Sequence, residues 1–192
     1  MPRVGLTPRI VAEEAARIAD ERGLDSLSLS AVAQRFGVTV PSLYKHVDGL
    51  AGLHREVALL AAAEFGDRIR AAATGLAGPD ALRAVADAYR SYAHDHPGRY
   101  AALQRAPGPD DPEAQKIFYA PVEVLTAVLR GFGIGDDRTV HAVRVLRSTL
   151  HGFVDLEERG GFGLPDDTEE TYRILLDGLV RAFQDPAGGG LR

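Results

Sequence analysis

Apolar residues recur every three or four positions along almost the whole chain, and the sustained single alternation with polar residues that marks a series of half-buried strands is missing. Val11, Ala15, Ile18 and Ala19 mark one face of a first helix, with Thr7 as its cap, Pro8 at its first position and Gly23 at its end. Leu29, Val32, Ala33 and Phe36 repeat the spacing in a shorter stretch. Leu53, Val57, Leu60, Ala61, Phe65 and Ile69 repeat it in a long one that Asp48 can cap. Further helices are predicted over Pro79–Asp95, Pro97–Arg105, Pro112–Phe132, Asp136–Arg159 and Thr168–Phe183. Gly, Pro and Asp gather between them, as in APGPDDP at Ala106–Pro112 and GGFGLPDD at Gly160–Asp167. The expected fold class is all-α.

The stretch SLSLSAVAQRFGVTVPSLYKHV has a second layer of order. Ser28 can cap the helix that opens at Leu29, because its hydroxyl can accept from a free backbone N–H. Gly37 stands where a left-handed turn residue is wanted, Val38 can plug the turn, Thr39 can cap the next helix, and Pro41 sits in its first turn. Two short helices and a tight turn make a helix-turn-helix, which presents its second helix to a DNA major groove. Leu43 and Val47 point into the head. Lys45 can donate to guanine O6 or N7, while Thr39, Ser42, Tyr44 and His46 can reach phosphates or bases. Ser28, Thr39, Pro41, Ser42, Tyr44, Lys45 and His46 are therefore the candidate DNA-binding residues.

Charge complicates this picture. The 192 residues carry a net −5, which disfavours nucleic acid. However, seven basic and seven acidic residues balance between Met1 and Glu56, so the whole acid excess lies beyond. A neutral head needs its cations clustered, and Arg3, Arg9, Lys45, His46 and Arg55 are available. Arg supplies nearly all the positive charge, since Lys45 and Lys116 are the only lysines. The chain has no Cys, and the start MPRVGLTPRI lacks the apolar stretch of a secretory leader. No apolar run approaches the roughly 20 residues of a membrane span. A cytoplasmic protein without membrane attachment is expected.

Two faces of the Asp136–Arg159 helix are apolar. Val143, Leu146, Leu150 and Phe153 form one stripe; Ala142, Val145, Thr149, Gly152 and Leu156 form another. One stripe for its own core and one for a partner is the economical account. The last helix repeats Tyr172, Leu175, Leu176, Leu179 and Phe183. Val145, Thr149, Gly152, Leu156, Tyr172, Leu175 and Leu179 are the candidate dimer interface. His94 and His96, two apart on a helix, face different ways, so neither a metal nor another cofactor is expected. There is no phosphate loop, GxSxG or HExxH, and an enzyme is not expected. His151 and Asp155 form an i, i+4 polar pair near Arg144 and Arg147. The polar, Gly-rich end, 185–192, is expected to be a disordered tail.

The order of these features resembles the TetR/AcrR family of transcriptional regulators. The opening Thr-Pro helix, Gly23-Leu24, AVAQRFGV at Ala31–Val38 and LYKHV at Leu43–Val47 carry the likeness. Where the family usually has a Lys after the Tyr-x-His motif, this chain has Leu50. The run RSTLHGFVDLEERGGF, Arg147–Phe162, is similar to a subgroup named for a Trp-His-Gly motif, with Leu150 in the Trp position. The resemblance implies a three-helix head over 1–56 and a ligand-binding, dimerising bundle over 57–184. It also implies a homodimer on a palindromic operator in double-stranded DNA, with a mainly apolar small molecule releasing a repressor. The aromatic and polar residues of the middle helices, Phe65, Tyr89, Tyr92, His96, Tyr100, Phe118 and His151, are the candidate effector contacts. A rival reading is a helical dimeric interaction or ligand-binding module with weak or lost DNA binding, consistent with the neutral head.

Overall fold

Thr7 opens the first helix as its spacing predicts: its hydroxyl accepts from the Ile10 N–H at 3.2 Å, and Pro8 follows. In the computed structural model, which describes residues 5–105, 107–108 and 110–184, the elements are all helical. They are α1 (Pro8–Arg22), a 3₁₀ turn (Leu24–Ser26), α2 (Leu29–Phe36), α3 (Val40–Leu43) and α4 (Gly49–Ala73). After these come α5 (Gly78–Asp95), α6 (Pro97–Leu103), α7 (Pro112–Arg130), α8 (Asp136–Glu158) and α9 (Thr168–Gln184). Arg3 and the tail expected to be disordered lie outside the described residues.

The chain folds as two units, and their division is not the one expected from the sequence. The first runs up to Phe65 and takes in Asp95–Ala120; the second joins Gly66–His94 to the segment from Pro121 onward. The expected cut after Glu56 gave residues 95–120 to the C-terminal domain. The structure packs α6 against α1 instead. Gly98 makes this possible: a Cβ there would fall 2.1 Å from the Ala19 carbonyl carbon, so only Gly allows the two backbones to approach so closely. Arg99 fixes the contact, its backbone N–H donating to Asp20 Oδ1 at 2.9 Å and its guanidinium lying 3.3 Å from Asp20 Oδ2.

Val11, Ala15, Ile18, Ala19, Val32, Leu43, Leu53 and Val57 form the core of the first unit, with Ala102 from α6. Each large aliphatic side chain buried this way contributes about 1.5–3 kcal/mol. The second unit buries Val85, Tyr92, Leu129, Leu146, Leu150, Tyr172 and Phe183. In it, Arg90 of α5 lies over the Tyr172 ring of α9, 4.4 Å from its centroid, and grips Glu157 of α8.

Candidate nucleic-acid interface

The helix-turn-helix is built as the residues dictate. Ser28 Oγ accepts from the Ala31 N–H at 3.1 Å, which starts α2. Gly37 ends α2 with φ 64°, a left-handed conformation that glycine adopts without cost. The Val38 N–H then donates to the Ala33 carbonyl at 3.0 Å and closes the turn. Thr39 stands at the N-cap of α3 but gives no side-chain cap to the backbone. Its hydroxyl pairs with the Ser42 hydroxyl at 3.0 Å, so the cap expected of Thr39 is replaced by a hydroxyl pair. The recognition element is short: α3 is one turn, and Tyr44–His46 continue it as turns.

Burial orients the element. Leu43 and Val47 are in the core. Thr39, Pro41, Tyr44 and Lys45 are exposed, Tyr44 at 58%, and Ser42 and His46 are half-buried. Ser28 is also half-buried, with an acceptor site of its hydroxyl already used by the cap. Tyr44, Lys45, His46 and Arg55 line one cleft of about 270 Å³.

Arg55 is not the free phosphate ligand that the sequence suggested. Its Nε donates to Asp111 Oδ2 at 2.5 Å, its Nη2 to Asp111 Oδ1 at 3.0 Å and its Nη1 to Glu56 at 2.6 Å, with Glu113 3.6 Å away. The hydrogen bonds to Asp111 push the guanidinium pKa up from its ordinary value, and hold Asp111 down to about 2. Arg9 is likewise paired, with Glu13 at 2.8 Å, and Arg35 pairs with Glu14 and Glu21. Among the described residues, Lys45 is the cation of the recognition element without an ion pair.

The candidate effector residues do not fall in one unit. Phe65, His96, Tyr100 and Phe118 belong to the first, and Tyr89, Tyr92 and His151 to the second. Phe65, Tyr89, Tyr92 and Tyr100 are buried; Phe118 packs against the core of the head rather than in a C-terminal bundle. His96 lies 3.5 Å from Asp20. His151 is half-buried, and Asp155 bonds Arg159 at 2.8 Å.

The candidate dimer face needs correction. Tyr172, at 1% exposure, and Leu179, at 6%, belong to the core of their own protomer, as does Ala142. Tyr172 packs on Phe153 with ring centroids 5.1 Å apart. Val145, Gly152 and Leu156 are exposed, and Thr149 and Leu175 are half-buried. Ile174, 60% exposed, is an apolar residue of α9 beside its core stripe and outside the candidate set.

Comparison with known proteins agrees along the chain. The profile described as "Bacterial regulatory proteins, tetR family" matches residues 11–53, and "Tetracyclin repressor-like, C-terminal domain" matches 82–179. An uncharacterized HTH-type transcriptional regulator of Mycobacterium tuberculosis is 39% identical over 177 residues, covering 92% of this chain and 79% of that protein. YobS, an uncharacterized HTH-type transcriptional regulator of Bacillus subtilis, is 34% identical over 185 residues, covering 93% and 95%. A TetR variant of Acinetobacter baumannii in complex with minocycline superposes with TM-score 0.68 at 20% identity, covering 94% of this chain and 98% of that one. Streptomyces coelicolor ActR in complex with (S)-DNPA gives 0.69 at 19%, covering 97% and 100%. At such identities these two structures establish the common fold.

Proposed function

The chain belongs to the TetR family of bacterial regulatory proteins, and from that premise we propose that it is a homodimeric cytoplasmic repressor, seated on a palindromic operator and released by a mainly apolar small molecule. The observation that carries this reading is the recognition element. Leu43 and Val47 anchor it in the core, while Thr39, Pro41, Tyr44 and Lys45 stay exposed on it. Lys45 is the base-reading cation; Tyr44 and the Thr39–Ser42 hydroxyl pair contact phosphates. A dimer formed through the exposed faces of α8 and α9 brings two such elements to half-sites about 34–36 Å apart. Buried Tyr89 and Tyr92 are the aromatic wall of the effector region.

Minocycline in the Acinetobacter protein and (S)-DNPA in ActR support an organic effector here. The effector acts only through its different affinity for two conformations. α4 carries it, because its residues belong to both units. The test is fluorescence anisotropy with DNA from around the protein's own gene, at about 50 and 200 mM salt. Binding that weakens steeply with salt and is lost on adding a compound that raises the melting temperature agrees with the proposal. Absence of sequence-selective binding at the lower salt overturns it. A dimeric module without DNA binding is the alternative, favoured by the neutralised Arg55, and that outcome would select it.

A further inference from the structure

Within the first unit, residues of α4 together with Arg105, Pro107, Asp111, Ala114 and Phe118 line a cavity of about 300 Å³. Ala58, Leu59, Ala114 and Phe118 supply apolar wall, and His54, Arg55, Arg105 and Asp111 supply the ionisable groups. Within the lining two guanidiniums face the Asp111 carboxylate, while Glu56 and Glu113 outside it also pair with Arg55 and Asp25 with Arg105. His54 is the unexplained member: its Nδ1 is buried and has no hydrogen-bond partner. Buried polar atoms in native proteins are nearly all paired, and an exception marks a place where something else completes the bond. Burial, then the nearby Arg105, lower the His54 pKa from its ordinary value, with Asp25 opposing, so at neutral pH the ring is uncharged. Arg105 is held loosely, 3.6 Å from a fully exposed Asp25.

We propose that this cavity binds a small organic acid, its carboxylate held by Arg105 and by the His54 Nδ1–H, and its apolar body against Leu59 and Phe118. A planar guanidinium matches a carboxylate in a two-bond fork, and an imidazole N–H completes the second oxygen. The volume, about ten times a water molecule's share of the liquid, suits a ring with a short acidic chain. This site is separate from the effector region proposed above, of which Tyr89 and Tyr92 lie in the other unit. Arg55 lines both this cavity and the cleft with Tyr44, Lys45 and His46. An incoming carboxylate competes with Asp111 for Arg55, so binding here is felt at the recognition element.

The probe is 4-phenylbutyrate, with its amide as the uncharged control, titrated into the full chain labelled with ¹³C at histidine Cε1. No DNA is present, so the result is independent of the regulatory reading. His54→Gln assigns the signal, and the titration runs over about pH 5 to 8. The charged groups around His54 are Arg105 and Asp25, with Arg55 and Asp111 in the same lining. The acid is expected to shift the His54 signal saturably and to raise its midpoint, because a neighbouring anion favours the imidazolium. The amide is expected to leave the midpoint in place, and Arg105→Ala to weaken the acid by about tenfold or more. An unmoved His54 at millimolar acid, equal binding by Arg105→Ala, or the same shift with acetate overturns the proposal.

Discussion

Asp111 grips Arg55 at two points, 2.5 and 3.0 Å, from 56 residues away, and the same carboxylate caps the start of α7 by accepting from the Ala114 N–H at 3.0 Å. The grip lies beside the recognition element, where the charge balance of the head made Arg55 available as a cation for phosphate. It converts a potential DNA contact into an internal tie between α4 and α7.

The salt dependence of DNA binding separates these roles. Each phosphate neutralised contributes about one to the slope of log K against log salt. Arg55→Ala is expected to leave that slope unchanged, since its charge is already matched by Asp111 and Glu56. Lys45→Ala is expected to lower it by about one. Equal losses in the two variants would mean that DNA opens the grip.

Base reading is tested separately. Lys45→Ala should cost about 1–3 kcal/mol of discrimination at one base pair, measured by competition with substituted operators. Tyr44→Phe should weaken all sequences alike, because a phosphate contact carries no sequence information. A sequence-dependent loss in Tyr44→Phe would put the tyrosine, not the lysine, on the bases.

Gly98→Ala tests the packing of α6 on α1. The added Cβ meets Ala19 backbone at 2.1 Å, so a whole helix must move rather than one side chain turn. Overpacking of this kind costs about 1–3 kcal/mol, read as a lower midpoint of urea unfolding. A variant as stable as the parent would show that the helices separate freely.

Much of the head was legible because its signals are local. Ser28, Gly37, Leu43 and Val47 each act within a few residues of themselves, through a cap, a left-handed turn or a helical stripe. What was not legible depends on distant partners. Nothing near Arg55 in the sequence announces Asp111, and nothing near Gly98 announces Ala19. The aromatics failed for another reason. Helical spacing identifies Tyr172 as an apolar-facing residue, and Phe118 stands among the aromatics of the middle helices, but neither signal says which apolar surface the ring meets. Tyr172 meets Phe153 in its own protomer, and Phe118 meets the head.

The corrected outer face of α8 and α9 gives a discriminating pair of variants. Ile174→Asp places a charge at a site 60% exposed in the protomer, so the fold is expected to be retained while the proposed dimer loses an apolar contact. Tyr172→Ala removes a ring buried to 1% exposure and is expected to cost about 3–5 kcal/mol of protomer stability. Light scattering should give about twice 20.5 kDa for the parent and about 20.5 kDa for Ile174→Asp. A folded Ile174→Asp variant that stays dimeric would move the interface off this face.

The last prediction concerns acid. Arg90 binds Glu157 through two bonds, 2.6 and 2.9 Å, and Glu169 at 2.7 Å; His94 adds a contact to Glu157 at 2.9 Å. This knot ties α5 to α8 and α9, and only about a sixth of the Arg90 and Glu157 side chains is exposed. Arg90 is foremost in holding the Glu157 carboxyl below its ordinary value of 4.5. A carboxyl with a depressed folded pKa binds protons more readily once unfolded, so it adds stability above its ordinary pKa and loses it as pH falls through the folded one. Stability should therefore be level in this respect above about pH 4.5 and decline below it. Glu157→Gln keeps the shape but not the charge. It should cost about 1.5–3 kcal/mol at neutral pH, the range for hydrogen bonds to charged groups, because Arg90 is left over the Tyr172 ring with one carboxylate. The deficit should shrink steadily in acid as the parent protonates the same group. Urea unfolding of both proteins from neutral pH to about pH 3 decides it. Parallel curves, with the same deficit at every pH, would show that Glu157 is held by packing rather than by charge.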